Sequence, residues 1–196
     1  DDPRAMATDA RRWRDRGFES MKMKIDGTPD LDIERVKAVR AAIGDDMQLR
    51  VDANEGYANV ETAIEVAGRL EAFDLAHIEQ PVPRADLAGL AEITAATPIP
   101  ILADEPILSP ADGYRVVKAD AADRLKFKIL KSGGTIPVRR GLDLGSAAGV
   151  DCVVGHGFCT APAASAELQL AATHRGIARP VETVGPLKIR DAPFTG

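Results

Sequence analysis

Short β-branched or apolar runs alternate along this chain with helical stretches whose apolar residues stand three or four apart, and that period limits the fold more than any other feature. Strands are predicted over Ser20–Ile25, Gln48–Ala53, Leu75–Glu79, Ile99–Asp104, Arg124–Ile129, Asp151–Gly155 and Arg179–Thr183. Between them, Leu31, Ile33, Val36, Val39 and Ile43 mark one amphipathic helix that stops at Gly44, and Val60, Ile64, Ala67, Leu70 and Phe73 mark a second behind Asn59. Ser109-Pro110 and Ile136-Pro137 put proline where a first helical turn tolerates it, and Gly149 stands where the next helix should end. Strict βα alternation argues for a parallel sheet, and seven successive units of similar length argue for a closed barrel over an open doubly wound sheet. Such a barrel needs eight strands, yet the chain opens on a helix from Pro3 to Arg16, so the first strand is expected before residue 1. The expectation is one incomplete domain over residues 1–196, an α/β TIM-type barrel without its first strand.

Composition narrows the partners. With 45% hydrophobic residues the chain has enough apolar surface for a core. A net charge of -5 and the lack of any Lys/Arg-rich run leave no field for a phosphate backbone, so nucleic acid is excluded as a partner. No apolar run approaches the roughly 18 residues of a membrane span. Asp1-Asp2-Pro3-Arg4 is unlike a secretory signal, so the cytoplasm is expected. Cys152 and Cys159 are too few for a disulfide framework or a cysteine metal site and are expected as reduced thiols.

Charged residues fall where barrel strands end, the place where such folds carry their chemistry. Lys24, Asp52, Glu79, Asp104 and Lys128 each close a predicted strand, at spacings of 28, 27, 25 and 24 residues. One charge there would mean only that a loop begins; five in register, one βα unit apart, point to a common mouth. Three carboxylates brought together repel one another unless a cation sits between them, so Asp52, Glu79 and Asp104 imply a metal. Oxygen donors favour Mg²⁺ or Mn²⁺ with positions open to water and substrate. Lys24 and Lys128 come from either side of the carboxylates and would hold a substrate between two amines. An amine serves as a base only when its proton is loosened, which a nearby cation such as Lys22, two residues before Lys24, would do.

Lys22-Met23-Lys24, Val51-Asp52-Ala53-Asn54, Ile78-Glu79-Gln80-Pro81, Ala103-Asp104-Glu105 and Lys128-Ile129-Leu130-Lys131-Ser132-Gly133-Gly134 resemble, in this order and spacing, the motif set of the muconate-lactonizing subgroup of the enolase superfamily, the mandelate racemase/muconate lactonizing enzyme family. The resemblance covers nearly the whole chain. It implies a (β/α)7β barrel closed by a separate α+β capping domain, which is absent from this sequence. It also implies Asp52, Glu79 and Asp104 as metal ligands, Lys24 and Lys128 as the acid/base pair, Lys22 as a residue that modulates the base or touches the substrate carboxylate, and Asn54 and Glu105 as residues that orient the ligands. In such enzymes a metal and a lysine stabilise the enediolate formed when a proton is taken beside a carboxylate. A small carboxylate substrate and a homo-oligomer follow from the same resemblance.

Departures from the pattern bear on the substrate. Cys159 stands where cycloisomerases carry a glutamate, and His156 is similar to a mandelate racemase histidine whose aspartate partner is replaced here by Lys128. Both are candidate substrate contacts, against the plainer readings of a loop residue and a small buried one. Ser132-Gly133-Gly134-Thr135 is expected to be a tight turn rather than a phosphate cradle, His77 a packed strand residue, and His174 a solvated residue at a helix end. Glu182-Thr183-Val184-Gly185-Pro186 resembles the family's eighth-strand exit but lacks the Asp-x-Asp expected of a dipeptide epimerase, which sets that activity aside. The favoured activity is a muconate cycloisomerase-like isomerase. The alternatives within the family are an N-acylamino acid racemase or epimerase and a hydroxy-acid or hydroxyproline dehydratase. Outside it stand a Schiff-base aldolase using Lys128 and a non-catalytic fragment.

Overall fold

The computed structural model describes residues 2–157, 159–178 and 181–188. Its helix starts follow the local signals. Asp2 caps α1 (Pro3–Arg14) by accepting from the Arg4 amide, Asn59 caps α3 (Val60–Leu70) through the Thr62 amide, and Asp86 caps α4 (Leu87–Ala96) through the Gly89 amide. Each such cap is worth about 1 kcal/mol. Proline occupies the first turn of α1, α2 (Pro29–Ile43), α5 (Pro110–Lys118) and α8 (Ala161–Thr173), where its missing N–H costs nothing.

The chain divides into two units, Asp1–Glu105 and Pro106–Gly196. In the first, β1 (Ser20–Lys24), β2 (Gln48–Asp52), β3 (Leu75–Glu79) and β4 (Ile101–Ala103) pair side by side in chain order, all parallel. Lys24 lies opposite Asp52, and Asp52 opposite Glu79, so three charged strand ends stand in one row. Between Leu49 and Val51 the β2–β3 register slips by one residue, which breaks simple alternation through Ala76 and His77 before restoring it at Ile78. Leu49, Val51, Ile78 and Ile101 are buried with Val36, Val39, Val66, Ala67, Leu70, Leu90 and Ile93 of the helices. Each large apolar side chain there contributes roughly 1.5–3 kcal/mol.

The second unit pairs β5 (Arg124–Phe127) with β6 (Asp151–Val154), again parallel, between α5, α6 (Ile129–Ser132), α7 (Thr135–Ala148) and α8. Phe127 is fully buried. A Cβ added at Gly141 would lie 2.3 Å from its ring and one at Gly113 2.9 Å, so α7 and α5 both use glycine to close on it. The Gly133-Gly134 pair is a turn, as predicted: φ of +80° and +127° are values that glycine adopts without strain.

Five predicted strands end early, and in two of them the charged residue falls outside the strand. β4 stops at Ala103 and β5 at Phe127, leaving Asp104 just beyond one and Lys128 as the N-cap of α6 beyond the other. The predicted strand Arg179–Thr183 lies partly outside the described residues, and residues 181–183 form no strand. Strand-like pairing occurs earlier, at a bridge between Cys152 and Ile177, while the Glu182 amide donates to Val154 O at 3.4 Å. Among the described residues no helix is long and apolar enough to cross a membrane.

Candidate active site

The first unit holds six of the predicted site residues at or just beyond neighbouring strand ends, Lys24, Asp52 and Glu79 on the strands and Asn54, Asp104 and Glu105 past them, with Lys22 two residues before Lys24 on β1. Asp52, Glu79 and Asp104 are each no more than 1% exposed. Lys22 Nζ donates to Asp52 Oδ2 at 3.0 Å and to Glu79 Oε2 at 3.1 Å, while Lys24 Nζ reaches the same Asp52 Oδ2 at 2.6 Å. Two ammonium groups therefore meet on one carboxylate oxygen. Burial alone would raise the Asp52 carboxyl, but the Lys22 charge, a hydrogen bond with Glu79 and the Lys24 ammonium outweigh it and hold the group below its ordinary range.

Asn54 joins Lys24 to the carboxylates. Its Oδ1 accepts from Lys24 Nζ, its Nδ2 donates to Glu105 Oε1 at 3.0 Å, and its own amide donates to Asp52 Oδ1 at 3.0 Å. The backbone there takes φ of +44° at Asn54 and +65° at Glu55, a left-handed conformation that asparagine tolerates well. Glu55 in turn accepts two hydrogen bonds from the Arg84 guanidinium and one from the Arg84 amide, and these hold its carboxyl low.

Gln80, buried completely and at φ +39°, was not singled out by the sequence as more than part of a motif. Its Oε1 accepts from the Asp104 amide at 3.1 Å, its Nε2 donates to Val82 O, and its amide donates to Leu102 O. It fixes the turn after β3 against the end of β4, and with it the Asp104 backbone. A neutral residue beside a glutamate offers little signal of such a role in one sequence.

In the second unit the predicted residues stand apart from one another in character. Lys128 caps α6. His156 Nδ1 lies against Gly157 O, and the Cys159 thiol donates to Glu167 Oε2 at 3.7 Å. His174 ends α8 and pairs with Asp143 at 3.1 Å with only 14% of its side chain exposed, less solvated than expected. His77 is buried, as predicted.

Comparison with known proteins assigns the family. The model of the enolase C-terminal domain-like family matches residues 5–196. The chain belongs to that family. The enolase C-terminal-like domain is the barrel domain of the mandelate racemase/muconate lactonizing superfamily, and the fold class read from the βα period is thereby established. The chain is 34% identical over 99% of its length to an L-Ala-D/L-Glu epimerase of Bacillus subtilis, covering 53% of that protein. It is 33% identical over 95% of its length to an N-succinyl-L-Arg/Lys racemase of Bacillus cereus, covering 50%. A chloromuconate cycloisomerase of Cupriavidus necator matches at 29% over 84% of the chain, covering 44%. The structure of a dipeptide epimerase from Enterococcus faecalis, solved with Mg and the dipeptide L-Leu-L-Tyr, superposes with a TM-score of 0.97 at 32% identity, covering all of this chain and 55% of that one. The chain thus spans about half the length of the relatives it matches.

Proposed function

We propose that this chain is the barrel portion of a Mg²⁺-dependent isomerase that inverts the α-carbon of an N-acylated amino acid, a class that includes dipeptides. The observation that carries the reading is the meeting of Lys22 and Lys24 on Asp52, beside two further buried carboxylates, Glu79 at the end of β3 and Asp104 just beyond β4. The donor set fits a hard divalent ion: three carboxylates at 0–1% exposure, from Asp52, Glu79 and Asp104, present only oxygen. Bound there, the ion would offset the negative charge that builds on a substrate carboxylate when its α-proton leaves.

The chain's own side chains supply the proton handling. Lys24 Nζ is held by Asp52 and Asn54, yet 59% of its side chain is exposed, so it is fixed in place and open to a substrate. Lys22 is only 21% exposed and spans Asp52 and Glu79, which suits an electrostatic rather than a proton-carrying role. Lys128 is the second proton carrier of the proposal. Inversion needs one group to remove the proton from one face and another to return it on the opposite face, and two lysines meet that requirement.

This reading departs from the cycloisomerase favoured by the sequence alone. Relatives named for racemisation and epimerisation match at 33–34% identity over nearly the whole chain, against 29% over 84% for the chloromuconate enzyme. Cys159 in place of a glutamate agrees with that ranking. The dipeptide exclusion is also withdrawn, since L-Ala-D/L-Glu and hydrophobic dipeptide epimerases stand among the relatives without this chain sharing an Asp-x-Asp at 182–185.

The test is α-proton exchange in D₂O, followed by mass spectrometry and chiral separation, with L-Ala-L-Glu, L-Ala-D-Glu and N-succinyl-L-arginine as probes. Deuterium uptake with inversion, abolished by EDTA and restored by Mg²⁺, is expected. A folded, Mg²⁺-loaded protein that exchanges none of them but lactonises muconate would return the assignment to a cycloisomerase.

A further inference from the structure

Behind Lys24 lies a second carboxylate centre that the reaction does not consume. Asp32, in the first turn of α2, is fully buried. Its Oδ1 accepts from the Asp26 amide at 3.1 Å and from Arg35 Nη1 at 2.9 Å; its Oδ2 accepts from the Gly27 amide at 3.0 Å and from the Tyr57 hydroxyl at 3.0 Å. Four donors converge on one side chain. Arg35 Nη1 also pairs with Asp26 Oδ2 at 2.7 Å, so the residue that follows Ile25 is held at both its amide and its carboxylate. Burial and the Asp32 charge push the Tyr57 phenol far above its ordinary range, which keeps it a donor at any working pH.

The donors belong to loops that bear the site. Asp26 and Gly27 come two and three residues after Lys24, and the intervening Ile25 amide donates to Asp52 O at 3.0 Å. Tyr57 comes three residues after Asn54, is 2% exposed, and its amide donates to Pro81 O at 3.0 Å, two residues past Glu79. Gly27, at φ +86°, lies so close to the next loop that a Cβ there would come within 2.1 Å of Gly56 O. One carboxylate thus ties together the chain immediately after β1, β2 and, through Tyr57, β3.

We infer that Asp32 is a positioning residue for Lys24: with Tyr57 and Arg35 it sets where the β1 loop leaves the strand, and so where the Lys24 amine stands relative to Asp52 and Asn54. The inference rests on the proposed role of Lys24 as one of two proton carriers. Its consequence is asymmetric, because Asp26, Gly27, Asp32, Arg35 and Tyr57 all belong to the unit that carries Lys24, and Lys128 belongs to the other. Loosening it would misplace one proton carrier and leave the other.

Tyr57→Phe in the full-length protein removes one donor and keeps the ring that packs there. With Mg²⁺ and both L-Ala-L-Glu and L-Ala-D-Glu, it should slow α-deuterium exchange about tenfold for the epimer whose exchange Lys24→Ala abolishes, and less than about twofold for the other. Asp32→Asn should do the same more strongly if it folds. Amide hydrogen exchange gives a reading that needs no turnover: protection at Asp26 and Gly27 should fall by at least about tenfold in Tyr57→Phe. Acetic anhydride labelling of Lys24 should change in rate while that of Lys128 holds. Equal slowing for both epimers, or unaltered protection at Asp26 and Gly27 with unaltered Lys24 labelling, would overturn the inference. If the wild-type protein exchanges neither epimer, the functional reading fails, and the amide protection and labelling alone decide whether Asp32 positions Lys24.

Discussion

Two strands carry the same lysine–apolar–lysine pattern, Lys22-Met23-Lys24 on β1 and Lys126-Phe127-Lys128 at β5, and they dispose of it differently. On β1 both lysines belong to the strand and share a neighbour, because Asp52 lies opposite Lys24 in register. At β5 the strand ends at Phe127. Lys126 is 1% exposed and pairs with Glu182 at 2.6 Å, and Lys128 starts a helix. The neighbouring strand explains the contrast. Next to β5 stands Gly155, where a Cβ would meet Lys126 Cε at 2.3 Å, so the missing side chain leaves a channel for the lysine to lie in and reach Glu182. A period of two fixes which face a lysine takes, whereas its depth and its partner come from the next strand.

The largest effects should come from the outer lysine of each pair. Lys24→Ala and Lys128→Ala are each expected to lower α-proton exchange by about 10²–10⁴-fold, the range of a lost general acid or base. Each should abolish exchange from a different epimer when single turnovers are followed in D₂O. If Lys128→Ala leaves exchange from both epimers intact, the β5 pattern has no catalytic part and the likeness of the two strands is one of sequence only.

The inner lysines should separate on stability. Lys126→Met leaves Glu182 buried without its ammonium and should cost about 3–5 kcal/mol in urea unfolding, most of it recovered in the Lys126→Met/Glu182→Leu double variant. Lys22→Met should cost less, roughly 1–2 kcal/mol, because Asp52 keeps the Lys24 ammonium and the site is partly open to water. Equal losses at the two positions would mean that depth does not distinguish them.

How much of this was legible in the sequence follows from the same contrast. The βα period, the cap at Asn59, the stops at Gly44 and Gly149 and the charged ends of β1, β2 and β3 are local signals, and the structure follows them. The β2–β3 slip at Ala76 and His77 could not be read, since register is settled between strands. Nor could the partners of Lys126, Asp32 and Glu167. Asp32 sits on a helix start where an acid ordinarily favours the helix dipole, and only the return of Tyr57 to the same place shows that its carboxylate serves two loops. Glu182 stands out in the sequence only through its motif, and its engagement by Lys126 spans a chain separation of 56 residues.

A second buried acid in this unit sharpens the comparison further, with a smaller effect. Glu182 faces an ammonium, while Glu167, 3% exposed on α8, faces the Cys159 thiol. A thiol offers a weak hydrogen bond and no charge, so burial prevails and pushes the Glu167 carboxyl up to about 7 from an ordinary 4.5. The sign follows from linkage. Below pH 4.5 the group is protonated folded and unfolded alike; between 4.5 and 7 only the unfolded chain ionises readily, so stability falls as pH rises through that window and levels off above it. Glu167→Gln keeps the shape and removes the titration. It should match the wild type at pH 4 and exceed it at pH 8 by roughly 1–3 kcal/mol in urea unfolding. A variant that is equally less stable at both pH values would show instead that the Glu167 carboxylate is as well compensated by its surroundings as Glu182 is by Lys126.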